Sequence, residues 1–404
     1  MHPSAGSANH GAAAHRPRRE VLAFARAFEP GHRAGGPIQS MNHVFGVVGA
    51  EVRITLVTRD RDLGDRAPYP GLSGRLVPRG RHAVFYWDRT NLRQTLALVR
   101  MLRPTRFDLL YVNSFWDPWF TLAPLAAAQL RVVRARRLLL APRGELAPGA
   151  LAIKPRKKRV TLPLIAPFVA RLPVVWQAQS PHEVSDIHRV FPQARIIKRA
   201  DSAAPDPVNG VRASERIARF VFISRISPIK NLAVAIEALR ALDGPAIFDI
   251  FGPVSDPAYW RRCQALLRTV PESVVVTYRG ELPHDAVQAT FADYDAFVLP
   301  SSGEGFGHAI AESLSAGCPV LCSERTLWTQ VLRSGGGAAL PDLEPQTWGT
   351  ELARIAALTG AERSHRKADA LAAYLRWRAA TDRTTAVDEA LRLADGPRAE
   401  GVGR

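Results

Sequence analysis

Residues 293–321 read DYDAFVLPSSGEGFGHAIAESLSAGCPVL. The apolar run before Pro300 reads as a buried strand, and Pro300 ends it. A loop of small polar and glycine residues follows, and helical spacing sets in near His308. Gly317 is a natural stop for that helix. Gly303, Gly305 and Gly307 leave the loop backbone open to close approach. A helix that starts there presents unpaired amides and partial positive charge at its tip, an anion site. Glu304 lies in the loop. Glu312 lies eight positions later, about two helical turns if the helix starts near His308. Both carboxylates are acceptors suited to hydroxyl groups. A ligand with phosphate between two polyols fits this layout.

Outward from this stretch the texture alternates. Toward the N-terminus come ARFVFIS, a helix from Asn231, AIFDIFG, a helix from about Asp256, SVVVTYRG and a helix from about Pro283; CPVLCS follows the glycine loop. That is a doubly wound unit of five short strands. Residues 200–216, rich in Pro, Ala, Ser and Asp, read as a linker. Before them lies a second alternating series. It comprises strands in 21–30, 52–60, 107–115 and 136–145, and the strand, loop and helix of VVWQAQSPHEVSDIHRVF, with helices in 37–50 and 90–102 and after Asp117. Apolar runs separated by helical patterns argue for parallel sheets covered on both faces. In such folds ligands sit beyond the strands' carboxyl ends. The expected organisation is a flexible tail at 1–19, a first doubly wound domain at 20–207, a second at 208–362, and C-terminal helices and tail at 363–404 that pack back toward the first domain.

The composition agrees with a globular protein. The chain has 404 residues, 47% hydrophobic and 23% charged, which excludes collagen, a disulfide scaffold and a largely disordered chain. No apolar run is long enough to span a membrane. Residues 160–178 come nearest but are broken by prolines and Arg171. The N-terminus lacks the apolar core of a secretory signal. Cys263, Cys318 and Cys322 form no disulfide framework and suit a reducing cytoplasm, with Cys318 and Cys322 read as core thiols. The net charge is +17. Residues 131–160 hold ten basic side chains (Arg131, Arg134, Arg136, Arg137, Arg143, Lys154, Arg156, Lys157, Lys158, Arg159) against one acid, Glu145. This is an electrostatic footprint for anionic lipid, nucleic acid or a phosphorylated substrate, or a solvated face in an arginine-rich chain. Only six of the 54 basic residues are lysines, so Lys230, alone after a strand, stands out.

The E-x7-E pattern of EGFGHAIAE resembles the donor site of retaining glycosyltransferases of the GT-B fold, family four. ARFVFISRISPIKNLAVAIEAL is similar to that family's strand, Arg/Lys loop and helix. LLLAPRGELAPGALAIKPRKK resembles a segment of its N-terminal domain, and GGP near residue 36 its N-terminal glycine loop. The resemblance runs from residue 21 to about 360 and implies an α/β fold of two Rossmann-like domains facing a cleft, 20–207 for the acceptor and 208–362 for the nucleotide-sugar. It implies that Arg225 and Lys230 hold the diphosphate of a nucleotide-sugar and that Glu312 accepts hydrogen bonds from the ribose. Glu304 would contact sugar hydroxyls beside the amides of Phe306, Gly307 and His308, and Gly36 would let the N-terminal loop approach the phosphates. Catalysis would fall to Glu304, Arg225 and Lys230. Two cations stabilise a diphosphate whose charge grows as it leaves, so no metal or cofactor is required. No acidic pair at a strand end and no zinc spacing is apparent.

The chain departs from that family in one segment. Many members carry a histidine after the strand matching 107–112, where this chain reads YVNSFWDPW. Asn113 and Ser114 cannot titrate near neutral pH, and a leaving phosphate oxygen is the alternative proton acceptor. Trp116, Asp117 and Trp119 line an acceptor cleft or pack in the core. Glu183 contacts the acceptor or charges a helix N-terminus, and Trp328 packs at the domain edge. The expected partners are a nucleotide-diphosphate sugar, a glycan or lipid-linked acceptor and an anionic membrane surface, with no nucleic acid, on the cytoplasmic side. Two other functions are a nucleotide-sugar epimerase and a basic nucleic-acid binder. The first βα loop lacks G-x-G-x-x-G, and charge alone leaves the paired Glu unexplained.

Overall fold

A computed structural model describes residues 18–152, 155–201, 204–208, 210–214 and 217–395. Most of the tail expected at 1–19, the final residues 396–404 and Lys154 lie outside them.

Two sheets organise the chain. The first has eight strands in the order Arg195–Lys198, Val174–Ala178, Leu138–Ala141, Leu109–Asn113, Arg19–Ala25, Val52–Arg59, His82–Trp87, Leu76–Arg79. All pairs are parallel except the last. The second has six parallel strands in the order Val274–Gly280, Ala246–Phe251, Ala218–Ile223, Ala296–Leu299, Val320–Ser323, Gly337–Leu340.

Period-two alternation explains the layering. In Arg19–Ala25, Leu22 and Phe24 feed the core on one face, and Val21, Ala23 and Ala25 the core on the other. A strand covered on both faces must be apolar throughout, which is what VLAFA supplies. The second sheet builds one core from Phe220, Phe222, Phe248, Phe297, Trp328 and Trp348 with their neighbours. All three cysteines are free and buried there or against it.

Three expectations change. The second sheet has a sixth strand, Gly337–Leu340, where five were expected. The antiparallel hairpin Leu76–Arg79 with His82–Trp87 was not anticipated. The stretch 200–216 is not a free linker. Asp201 is buried, Val208 N donates to Ser315 O at 3.0 Å, Tyr374 Oη to Pro205 O at 2.6 Å and Ser214 Oγ to Asp295 Oδ1 at 2.5 Å.

The C-terminal helices join the two halves. Gly360–Ala380 opens on a capping box, Thr359 with Glu362, and lies on the second sheet's core through Ala370 and Tyr374. Ala386–Asp395 crosses back and packs Ala386, Val387, Ala390 and Leu391 on the first sheet. The carboxyl ends of the two sheets thus face one another.

Candidate active site

The glycine loop leaves the buried strand Ala296–Leu299 and enters the helix His308–Ser315. Gly307 caps that helix at φ 83° with no side-chain cap, so no side chain occupies the first-turn amides. A Cβ on Gly307 would also lie 3.0 Å from Ile310 Cδ1 and 3.2 Å from Trp328 Nε1. Trp328 is buried, and its Nε1 donates to Phe306 O at 2.6 Å. It braces the loop from beneath, which replaces the domain-edge placement. Helix geometry begins only at His308, so Glu312 sits one turn in, roughly 6 Å along the axis, and not two. Burial pushes its carboxyl up to about 8. His284 Nδ1 is 3.7 Å from it.

Lys230 reaches this loop from the neighbouring strand. It closes a short turn, Pro228–Lys230, after Ala218–Ile223, and Asn231 follows at φ 51°. Asn231 Nδ2 donates to Ser302 Oγ at 2.8 Å, and Ser302 N to Ile229 O at 2.9 Å. These bonds stitch the two loops together, and Lys230 Nζ donates to Glu304 Oε1 at 2.5 Å. Two residues expected to hold adjacent parts of one ligand hold each other. Arg225 is half-buried and has no hydrogen-bond or ion-pair partner among the described residues.

The N-terminal half closes the site from above. Gly36 starts the helix Gly36–Val47, again with no side-chain cap. A Cβ on Gly36 would lie 3.6 Å from His308 Cδ2, so two helix tips converge. His308 Nε2 is 3.3 Å from Ser40 Oγ across the cleft. Burial pushes His308 down to about 4, so this imidazole is neutral near pH 7. His32 and Arg33 also reach across, 3.4 and 3.5 Å from Glu281.

Sequence reading missed the buried network behind this edge. Arg143, at φ 56°, donates to Asn113 Oδ1, Asp201 Oδ2 and Tyr111 Oη. Gln177 Nε2 donates to Asp201 Oδ1 at 2.9 Å, and Gln179 Nε2 to Asp201 Oδ2 at 3.1 Å. Burial opposes the Arg143 charge, but Asp201, Tyr111 and Glu183 outweigh it and raise its proton affinity. Glu183 accepts from Gly144 N at 2.6 Å and Gln179 N at 2.8 Å, so it is a backbone clamp. Glu145 clamps the next loop through Phe115 N at 2.6 Å and Trp116 N at 3.1 Å. His43, whose proton affinity burial lowers, feels Asp201 and Arg143, as His308 does. Asp117 caps the turn into Trp119 and Phe120, and Trp116 donates to Glu145 O, which gives both of them framework roles. Among the described residues no group of three or more His, Cys, Asp or Glu could hold a metal ion.

The family described as glycosyl transferases group 1 matches residues 211–367, the stretch carrying Arg225, Lys230, Glu304 and Glu312. Residues 211–367 belong to that family. O-antigen chain mannosyltransferase B of Escherichia coli is 28% identical over 128 residues, 30% of this chain; the match spans about a third of that relative's length, 32%. The group 1 region sits in a GT-B fold, as the solved structures show. Sucrose-phosphate synthase from Thermosynechococcus elongatus superposes with a TM-score of 0.64 at 15% identity, covering 94% of this chain and 98% of that one. HepE from Anabaena, in complex with UDP and glucose, superposes at 0.62 with 14% identity, over 94% and 99%.

Proposed function

We propose that the chain moves a hexosyl group from a nucleotide-diphosphate sugar to a glycan or lipid-linked acceptor, with retention at the anomeric carbon and without a metal, in surface polysaccharide or glycoconjugate synthesis. One observation carries this reading. Lys230 and Glu304 meet in the pocket of a glycine loop whose helix tip no side chain caps, one turn from Glu312. Arg225, Lys230 and the amides at Gly307 and His308 supply positive charge where a diphosphate leaves. Charge that grows during the reaction is what fixed cations and dipoles stabilise. Glu304 and Glu312 accept from hydroxyls on either side. Asn113 at the strand end does not titrate and His308, pushed down to about 4 by burial, is a weak base, so the departing phosphate oxygen takes the acceptor's proton on the same face. The relatives fit: one is a mannosyltransferase and one binds UDP and glucose by their names.

A thermal-shift panel of UDP-, GDP- and ADP-sugars tests the donor, and NMR of the product's anomeric configuration tests retention. Stabilisation by one nucleotide class and an unchanged anomer are expected. A folded protein that binds none of them refutes the reading, as does transfer that stops on chelation. Domain closure over the donor, hinged near 205–215 and in the crossing 381–385 between the two C-terminal helices, excludes water that would hydrolyse it.

The acceptor side of this reading is an anionic membrane surface on the cytoplasmic face. The basic segment divides: Arg143 is buried and Arg137 reaches Leu393 O, whereas Arg131, Arg134, Arg136, Arg156 and Arg159 are exposed. Arg106, Arg131, Arg134 and Arg136 line one hollow. The helix Leu92–Leu102 adds exposed Leu92, Leu96 and Val99 at helical spacing, and Leu164, 73% exposed, lies in the helix Pro155–Ala170 that carries Arg156 and Arg159. Apolar side chains among arginines suit headgroups without insertion. No helix of the described residues is long and apolar enough to cross a membrane. Sedimentation with neutral and anionic vesicles checks this: salt-sensitive binding to the anionic ones is expected, and equal binding to both defeats it.

A further inference from the structure

Three adjacent parallel strands, Leu109–Asn113, Leu138–Ala141 and Val174–Ala178, end together at the cleft. Asn113 closes the first, Gln179 follows the third, and Arg143 spans between them. Their amide orientations are dictated by chemistry. A guanidinium only donates, so the Asn113 atom facing Arg143 is Oδ1, and Nδ2 is the other. A carboxylate only accepts, so the Gln179 atom facing Asp201 is Nε2, and Oε1 is the other. Asn113 is 4% exposed and Gln179 6%, yet Asn113 Nδ2 and Gln179 Oε1 have no hydrogen-bond partner among the described residues. A buried orphan of this kind is costly and calls for a reason. Gln179 Oε1 faces the opposite domain: a Cβ on Gly305, next to Glu304, would lie 3.2 Å from it.

We propose that Asn113 and Gln179 form a hydroxyl-reading subsite for a sugar ring, with Arg143 and Asp201 as its positioning residues. The subsite offers one neutral donor and one neutral acceptor. A phosphate cannot donate to Gln179 Oε1, and an ammonium cannot accept from Asn113 Nδ2. An alcohol can do either. The two amides flank one ion pair, so the ligand presents two hydroxyls of one ring, one accepting from Asn113 and one donating to Gln179. The ring enters when the halves part and Gly305 withdraws from Gln179. The chemistry is shared by the donor's sugar and the acceptor's. The inference rests on the proposed glycosyl transfer, whose failure the experiment separates from its own.

Asn113→Asp keeps an acceptor for Arg143, turns the orphan donor into an acceptor and adds a negative charge. Gln179→Lys keeps a donor for Asp201, removes the orphan acceptor and adds a positive charge, so a loss shared by the two variants reads the hydroxyl contacts and not the charge. Calorimetry on the full chain, with UDP-glucose, GDP-mannose, UDP and GDP, follows a check that the melting temperatures match wild type. If the subsite reads the donor sugar, nucleotide-sugar affinity falls at least about tenfold while nucleoside diphosphate affinity is unchanged, as expected when buried polar groups are left mispaired. If it reads the acceptor, both affinities and acceptor-free hydrolysis are unchanged while transfer falls by a similar factor. Folded variants equal to wild type in all of these overturn the subsite. Should wild type bind no nucleotide at all, the glycosyl-transfer reading fails, and crystals soaked with glucose decide the subsite alone. A sugar hydroxyl on Asn113 Nδ2 and Gln179 Oε1 supports it; glucose elsewhere, or none, overturns it.

Discussion

Each sheet's carboxyl edge carries cations, and the two edges use them in opposite ways. At the first, Arg143 is sealed among Asn113, Tyr111 and Asp201. At the second, Lys230 has the single partner Glu304, and Arg225 has none among the described residues. All three nitrogens of the first cation are engaged inside the protein, whereas the second set makes one contact, Lys230 with Glu304, as the proposed diphosphate site needs. Positive charge near a cleft is therefore not itself a sign of function: what the charge already touches decides. The widest separation between the edges should come from Arg143→Ala. Removing one partner of a buried pair strands the other, at a cost of about 3–5 kcal/mol. Urea unfolding should show that loss for Arg143→Ala. A loss below about 1 kcal/mol would erase the distinction between the edges.

Lys230→Ala sharpens the comparison from the other side. We expect kcat to fall about 10²–10³-fold, the size seen when a donor to developing charge is removed. The Glu304 side chain is 10% exposed against 4% for Asp201, so stability should fall less than for Arg143→Ala. Single-turnover kinetics beside a thermal melt separate the two effects, and a variant that unfolds early with normal turnover would place Lys230 with Arg143. Arg225→Ala should be milder, with unchanged stability and donor affinity weakened by about 1.5–3 kcal/mol for a lost charged hydrogen bond. Calorimetry with the nucleoside diphosphate alone reads that loss directly.

The second edge was more legible in the sequence than the first, for a physical reason. Gly303, Glu304, Gly305, Gly307 and Glu312 lie within ten residues, so strand, loop and helix tip could be read as one local device. Lys230 and Arg225 belong to one strand-to-helix turn. The first edge is assembled from Tyr111, Asn113, Arg143, Gln177, Gln179 and Asp201, whose partners lie up to 66 positions apart. No spacing rule links them. Asp201 sat in a stretch whose composition reads as linker, and Arg143 in one whose charge reads as surface. The missed strand Gly337–Leu340 has the same kind of cause. It is GAAL, without β-branched residues, and Gly337 is needed because a Cβ there would fall 2.0 Å from Val320 O at φ 145°. Backbone proximity to a neighbouring strand, not propensity, makes it a strand.

The smallest expected change in binding, about tenfold, tests the helix tip itself, where two residues one turn apart respond to pH with opposite sign. His308 titrates near 4 when folded and near 6.5 as a free imidazole. As pH falls below 6.5 the unfolded chain takes up a proton that the folded chain refuses, so stability drops toward pH 4. Glu312 titrates near 8 when folded and near 4.5 otherwise. As pH rises through 4.5 the unfolded chain loses a proton that the folded chain keeps, so stability drops until about pH 8 and levels off above it. Glu312→Gln should therefore flatten the alkaline slope of urea stability between pH 5 and pH 8 and leave the acid slope. A nucleotide-sugar whose ribose donates to this carboxyl favours its charged form, so binding near pH 7 should release a proton. Calorimetry in buffers of different ionisation enthalpy measures that release, and Glu312→Gln should abolish it while weakening affinity about tenfold. If wild-type binding enthalpy is the same in every buffer, Glu312 does not meet the ribose. The helix tip then holds a diphosphate through Lys230, Arg225 and its amides alone.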